Sequence, residues 1–403
     1  MYIEHLSLSN FRNYARLELS VPNAPILLYG ANAQGKTSLL EAIYYLITSK
    51  SPYTTSDRQL IHWRTENDPL PFARVVADLN DGNYNINRLE VTLTLENAGA
   101  SQRLKKVVKL NGVNKRVMDI VGIMNVVLFL PQDLSMVDGA PADRRRFMNT
   151  TLSQIDVDYM AALDKYDKIL PQRNALLRRI ADRQGSPDEL TFWDEQLIDA
   201  GSKIISGRQR FLRELEVKAQ HAHHDLTGNK ETLTLQYQPS FAPTFSGNGQ
   251  MSFDVLGLDL HRQITPEQVA PQFAEKLKQE QRDSILRGVT LSGPHRDELR
   301  LHINNRDAGL YGSRGQARTV VMALKLAELN WMKERTGKYP ILLLDEVIAE
   351  LDSARRAFLL ERIDGVTQTL LTTTEMDIFT PSFIARAQTW YVEDGQIEIK
   401  KST

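Results

Sequence analysis

Apolar positions along this chain change period several times, and each change marks an element. Pro25 to Tyr29 (PILLY) is a short continuous apolar run, the pattern of a buried strand. After the loop that follows, Leu39, Leu40, Ile43, Tyr44 and Ile47 recur at helical spacing. Ile341 to Leu344 is again continuous and apolar, as in a central parallel strand. The stretch VVADLNDGNYNINRLEVTLTLENAG alternates and carries turn residues, which predicts antiparallel strands flanking the core. Ser101 to Val117 predicts a hairpin turning at Asn111-Gly112, and Thr389 to Ile399 one turning at Asp394-Gly395.

The middle of the chain has helical periodicity in VDYMAALDKYDKILPQRNALLRRIADRQ, which Pro171 is expected to kink or break. A second helical stretch is DELTFWDEQLIDAGSKIISGRQRFLRELEVKAQHAHHDL, and Pro266 to Gly288 predicts one helix returning to the core. Between them ETLTLQYQ predicts a short β portion and SFAPTFSGNGQMS a surface loop. These helices are too short for long coiled-coil arms, so a compact helical lid is expected. The expected domains are 1–138, an N-terminal lobe of the core; 139–285, the inserted lid; and 286–403, a C-terminal lobe of the core.

The 403 residues suit two or three domains, at about 150 residues each. A net charge of -1 and 42% hydrophobic content describe an ordinary globular chain, and DNA binding would need only a local basic face. Cysteine is absent, which removes disulfides and thiolate metal sites. The first residues have no signal-peptide pattern, and no apolar run approaches the roughly 18 residues of a membrane span. A cytoplasmic location is the expectation.

Chemistry enters at the loop after PILLY. Gly30, Gly35, Lys36 and Thr37 fit G-x-x-x-x-G-K-[ST] in a strand–loop–helix context. Backbone N–H groups of Gly30, Ala31, Asn32, Ala33, Gln34, Gly35 and Ser38 are candidates to cradle phosphates, with Lys36 reaching the β- and γ-phosphates and Thr37 ligating Mg²⁺. Asp345, ending the second apolar strand, is placed to bind the metal, and Glu346 is a candidate general base. Lys36 and Asp345 lie near opposite ends of the chain, so a large insertion divides the ATPase core. The helix opened by Ser313, Gly315 and Gln316 has Val320, Val321, Leu324, Ala327 and Leu329 on its apolar side. Read alone, Ser313 is as well explained as a plain helix cap. His221, His223 and His224 read as a polar helix end rather than a metal site. The hairpin Ser101–Val117 carries Arg103, Lys105, Lys106, Lys109, Lys115 and Arg116 and no acid. It is either a lysine-protected sheet edge or a DNA-facing surface.

Together LSLSNFRNYARLEL, ANAQGKTSLLEAI, LFLPQDLSMVDGAPADRRRFMN, LPQRNALLRRI, LSGPHRDELRL, SRGQ and LLLDEVIAELD resemble the RecF family of bacterial recombination and repair ATPases, relatives of SMC proteins, over essentially the whole chain. The resemblance implies an α/β, ABC/SMC-like P-loop ATPase head built from both chain ends, with an inserted, mostly helical lid. SRGQ resembles the ABC signature, LSGGQ, which implies that Ser313, Gly315 and Gln316 contact ATP held by another subunit. It also implies nucleotide contacts at Arg12, Asn13 and Asp352, and a catalytic and metal-coupling role for Gln132. Implied function is ATP-driven dimerisation on DNA at gaps or single-strand/double-strand junctions, with double-stranded DNA also bound, RecR and RecO as partners, RecA loading supported, and weak DNA-stimulated ATPase activity that releases the dimer. An SMC-like DNA-clamping scaffold with little turnover is the alternative. Ala33 stands where the family usually has glycine, Gln132 where it more often has glutamate, and Thr373 or Thr374 where related ATPases carry a histidine. SPYTT (Ser51 to Thr55) lacks the arginine the family often has there.

Overall fold

The computed structural model describes residues 1–65, 68–80, 86–98, 101–241 and 263–400. The expected turn at 81–85 and the surface-loop sequence from residue 242 onward lie outside them. The described strands are β1 (Tyr2–Phe11), β2 (Tyr14–Ser20), β3 (Pro25–Tyr29), β4 (Phe72–Asn80), β5 (Ile86–Ala98), β6 (Ser101–Leu110), β7 (Val113–Lys115), β8 (Val126–Phe129), β9 (Leu233–Gln238), β10 (Glu298–Ile303), β11 (Arg306–Asp307), β12 (Ile341–Asp345), β13 (Thr369–Thr373), β14 (Gln388–Glu393) and β15 (Gln396–Lys400).

Residues 1–132 and 332–403 form one compact unit, and 133–331 a second. The first holds two sheets. One is antiparallel, in the order β2-β1-β4-β5-β6-β7, and the other runs β15-β14-β3-β13-β12-β8. In the second sheet β14, β3, β13, β12 and β8 are parallel, and only the terminal hairpin strand β15 is antiparallel. The register sets Leu28 beside Thr372, Thr372 beside Asp345 and Leu344 beside Phe129. The loops leaving β3, β12, β13 and β8 therefore emerge at one edge, where open parallel sheets bind ligands.

Burial explains why PILLY and ILLL read as continuous runs. Ile26, Leu27, Leu28 and Ile341 to Leu344 are all buried, because the sheet is covered on both faces. Helix Lys36–Thr48 buries Leu39, Leu40 and Ile43 in the same core, each worth about 1.5–3 kcal/mol. Gln368, just before β13, joins the two sheets. Its Oε1 accepts the Ile3 N–H at 2.9 Å, and its Nε2 donates to the Ile3 carbonyl at 2.9 Å and that of Pro22 at 3.0 Å. The 394–395 hairpin turn forms as expected, with Asp394 at φ 47° and Gly395 at φ 70°. Asn111 and Gly112 turn the other hairpin at φ 51° and 79°.

The second unit is built on helices Val157–Ala181 and Leu190–Thr227, with the sheet β11-β10-β9. Three expectations change here. Helix Val157–Ala181 runs through Pro171 without a break, the proline costing one backbone donor inside a segment otherwise held by buried Tyr166, Ile169, Leu176 and Leu177. The predicted return helix is two, Pro266–Gln279 and Gln281–Arg287, separated at Glu280 and ended by Gly288 at φ 64°. The third concerns the boundary. Residues 286–331 group with the insertion rather than with the C-terminal lobe. The reason is pairing: β10 runs antiparallel to β9, Leu301 beside Leu235. Among the described residues no helix is long and apolar enough to cross a membrane.

Candidate nucleotide site

The loop between β3 and helix Lys36–Thr48 is held from behind. Asn13 Nδ2 donates to the Gln34 carbonyl at 3.0 Å, as does the Gly395 N–H at 3.0 Å, and the Asp394 N–H reaches Gln34 Oε1 at 2.8 Å. The Tyr14 hydroxyl donates to the Gly35 carbonyl at 3.0 Å. Gly30 is at φ 151° and Gly35 at φ 120°, and a Cβ on Gly30 would stand 2.3 Å from the Val392 carbonyl oxygen. Both glycines are thus required by conformation and by close approach. Ala33 adopts φ 65° despite its Cβ.

Lys36 is 3% exposed and its Nζ bridges the carbonyls of Gly30 at 2.7 Å and Ala31 at 2.9 Å. Glu346 Oε1 lies 3.4 Å from the same ammonium. Thr37, 308 positions from Asp345 in sequence, donates to its two carboxylate oxygens at 2.9 and 3.0 Å. Asp345 also accepts from Tyr53 at 2.7 Å and Thr372 at 2.8 Å. Thr372 Oγ1 in turn accepts the Glu346 N–H at 2.9 Å, fixing a residue that is left-handed at φ 55°. The structure therefore brings Lys36, Thr37, Asp345 and Glu346 together. Tyr53 and Thr372 join them without having been anticipated. Thr373 instead closes a local turn with Glu375, its hydroxyl donating to the carbonyl at 2.8 Å and accepting the N–H at 3.0 Å, and Thr374 is exposed.

A divalent ion fits this donor set. A threonine hydroxyl and a carboxylate converge on one point, while no cluster of three or more His, Cys, Asp or Glu among the described residues could cage an ion alone. That combination suits a metal that takes its remaining ligands from phosphate and water. Gln132 is exposed in the turn after β8, the strand beside β12. Arg12 is occupied by a bidentate pair with the buried Glu41, at 2.7 and 2.8 Å. Asp352 caps helix Ser353–Ile363 by accepting the Arg355 N–H at 2.9 Å. That hydrogen bond, with the Arg355 guanidinium, lowers its carboxyl pKa.

In the second unit Ser313 and Gln316 form a reciprocal cap. The Ser313 N–H donates to Gln316 Oε1 at 2.9 Å, and the Gln316 N–H to Ser313 Oγ at 3.2 Å. Ser313 is exposed at the start of helix Arg314–Thr336, whose residues Val320, Val321, Leu324, Ala327 and Leu329 are buried. His221, His223 and His224 lie in the last two turns of helix Leu190–Thr227.

The basic hairpin lacks acids only in its own sequence. Lys105 pairs with Glu96 at 2.9 Å, Lys106 with Asp57 at 2.6 Å and Lys109 with Glu90 at 3.5 Å. Arg116 pairs with Asp119 at 2.9 Å. The neutralising residues come from β5, from the segment before β4 and, for Arg116, from the turn after β7, so these lysines and the arginine each sit opposite a carboxylate.

The model of the family described as RecF/RecN/SMC N terminal domain matches residues 2–390. The DNA replication and repair protein RecF of Chloroflexus aurantiacus is 40% identical, covering 98% of this chain and 99% of its own length. RecF of an Exiguobacterium species is 37% identical, over 99% of each chain. A solved structure of the recombination mediator protein RecF with ATP, in the RecFOR pathway, is 27% identical with a TM-score of 0.82, covering 99% of this chain and 98% of that one. An SMC head bound to the C-winged helix domain of ScpA shares the fold at a TM-score of 0.52 and 14% identity.

Proposed function

Because the chain belongs to the RecF/RecN/SMC family, with RecF proteins among its full-length relatives, we propose that it is an ATP-gated DNA clamp of replication and recombinational repair. The observation that carries the reading is the single cluster of Lys36, Thr37, Asp345 and Glu346, assembled from both ends of the chain. Lys36 exchanges the Gly30 and Ala31 carbonyls for β- and γ-phosphate oxygens. Thr37 and Asp345 would hold Mg²⁺, which when bound would supply charge neutralisation for the phosphates. Glu346 takes the proton of the water that attacks the γ-phosphorus while the bond to the β-bridging oxygen breaks and ADP leaves. Gln132, exposed on the neighbouring loop after β8, would couple to metal and water.

Ser313, Gly315 and Gln316 meet the γ-phosphate of a second copy, through a helix N-terminus suited to an anion. ATP then joins two copies on DNA at a junction or gap, with RecR and RecO, in support of RecA loading. Hydrolysis times their release. A clamp with little turnover is the second reading, favoured by the absence of a histidine after β13, where Thr373 is engaged with Glu375.

Sedimentation with and without ATP and gapped DNA tests the proposal. The wild type dimerises only with ATP. Lys36→Met loses a charge-assisted contact worth about 1.5–3 kcal/mol, so ATP affinity drops about tenfold to 150-fold. Undiminished ATP binding in that variant rules out the phosphate-loop assignment. An ATP-independent oligomeric state rules out the clamp.

A further inference from the structure

The cap at Ser313 has an anchor outside the motif. Gln316 Nε2 donates to Glu231 Oε1 at 2.7 Å, while its Oε1 holds the Ser313 N–H at 2.9 Å. Both ends of the Gln316 carboxamide are therefore fixed, one on the serine turn and one on Glu231. Glu231 itself sits on firm ground. The next residue, Thr232, exchanges hydrogen bonds with Asn304, its N–H reaching Asn304 Oδ1 at 2.9 Å and its carbonyl accepting the Asn304 N–H at 2.9 Å. The other Glu231 oxygen faces His223 Nε2 at 3.7 Å, on a ring that is fully buried. Burial lowers the pKa of His223, which keeps the imidazole neutral and leaves the Glu231 charge directed at Gln316.

We infer that Glu231 is a positioning residue for the signature turn: through Gln316 it sets the Ser313 hydroxyl and N–H for the γ-phosphate on a second copy. The inference rests on the composite-site reading above. A glutamine at the third position of a helix has several rotamers, and only one places Oε1 over the cap N–H. A charged acceptor on its amide nitrogen selects that rotamer and strengthens the bond. Glu231 touches neither nucleotide nor metal, so its loss acts on the trans contact and not on the phosphate loop.

The test compares ATP-dependent dimerisation, by sedimentation, with ATP affinity, by nucleotide titration. Glu231→Ala is expected to weaken dimerisation about tenfold with ATP affinity unchanged. Glu231→Gln retains an acceptor oxygen and recovers dimerisation to within about threefold of wild type. Adding Glu231→Ala to Gln316→Ala produces no further loss, whereas a general folding defect would add to it. Wild-type dimerisation in Glu231→Ala, or an additive loss in the double variant, overturns the inference. Ser313→Arg separates the two levels. If it too dimerises normally, the composite site falls and the inference with it. If it fails to dimerise while Glu231→Ala succeeds, only the role of Glu231 falls.

Discussion

Thr372 donates its hydroxyl to Asp345 Oδ1 at 2.8 Å from the adjacent parallel strand. Thr372 Oγ1 itself accepts the Glu346 N–H at 2.9 Å, so one buried hydroxyl orients both members of the acidic pair. Thr372→Val leaves that N–H and one carboxylate lone pair unsatisfied, a loss of about 1–3 kcal/mol. Steady-state ATPase assays should show reduced turnover, with Thr372→Ser close to wild type. Equal activity in the valine variant would remove Thr372 from the site.

Glu346 is left-handed at φ 55° and within 3.4 Å of Lys36 Nζ. Glu346→Gln keeps the shape and removes the base. Turnover is expected to fall about 10²- to 10⁴-fold, while ATP binding persists and the dimer accumulates on DNA. Filter-binding off-rates on gapped DNA measure this, and unchanged dissociation would argue against hydrolysis as the release step.

His295 supplies a pH dependence to the second unit. Burial lowers its pKa to about 4, and its Nδ1 lies 2.7 Å from the Tyr166 hydroxyl. A histidine depressed in the fold binds its proton more readily when unfolded, at about 6.5. Its contribution is therefore fully present above about pH 6.5 and is lost as pH falls through about 4, by an amount on the order of 3 kcal/mol. Urea melts from pH 7 to pH 4 should show this slope, and it should flatten in His295→Gln.

Lys105, Lys106 and Lys109 each face a carboxylate, so replacing all three with alanine should leave the salt dependence of DNA binding unchanged. Each lysine that neutralised a phosphate would instead reduce the log–log slope by about 0.9. Titrations across salt concentrations read the difference directly.

These lysines also show where sequence reading stops. The phosphate loop and the acidic strand are legible because each is one continuous segment with its own period. Glu90 and Glu96 neutralise Lys109 and Lys105 only through the β5–β6 register, in which Glu90 stands beside Lys109. Tyr53 and Thr372 reach Asp345 across 292 and 27 positions, and no local pattern marks either as a ligand-orienting hydroxyl. Thr373 carried the same residue type one place further on, but its side chain turns back to its own loop. Glu231 is likewise silent in sequence, because its partner is 85 positions away.

The position of β3 has a consequence for how the molecule is made. Its neighbours in the sheet are β13 and β14, both near the end of the chain. A ribosome adding about 5–20 residues per second therefore leaves Ile26, Leu27 and Leu28 without strand partners for roughly 20–70 s. The antiparallel sheet through β7 and the unit 133–331 need only residues already synthesised. The phosphate loop is thus translated among the first segments and becomes competent among the last, so a truncated chain released early carries the nucleotide motif without its central sheet.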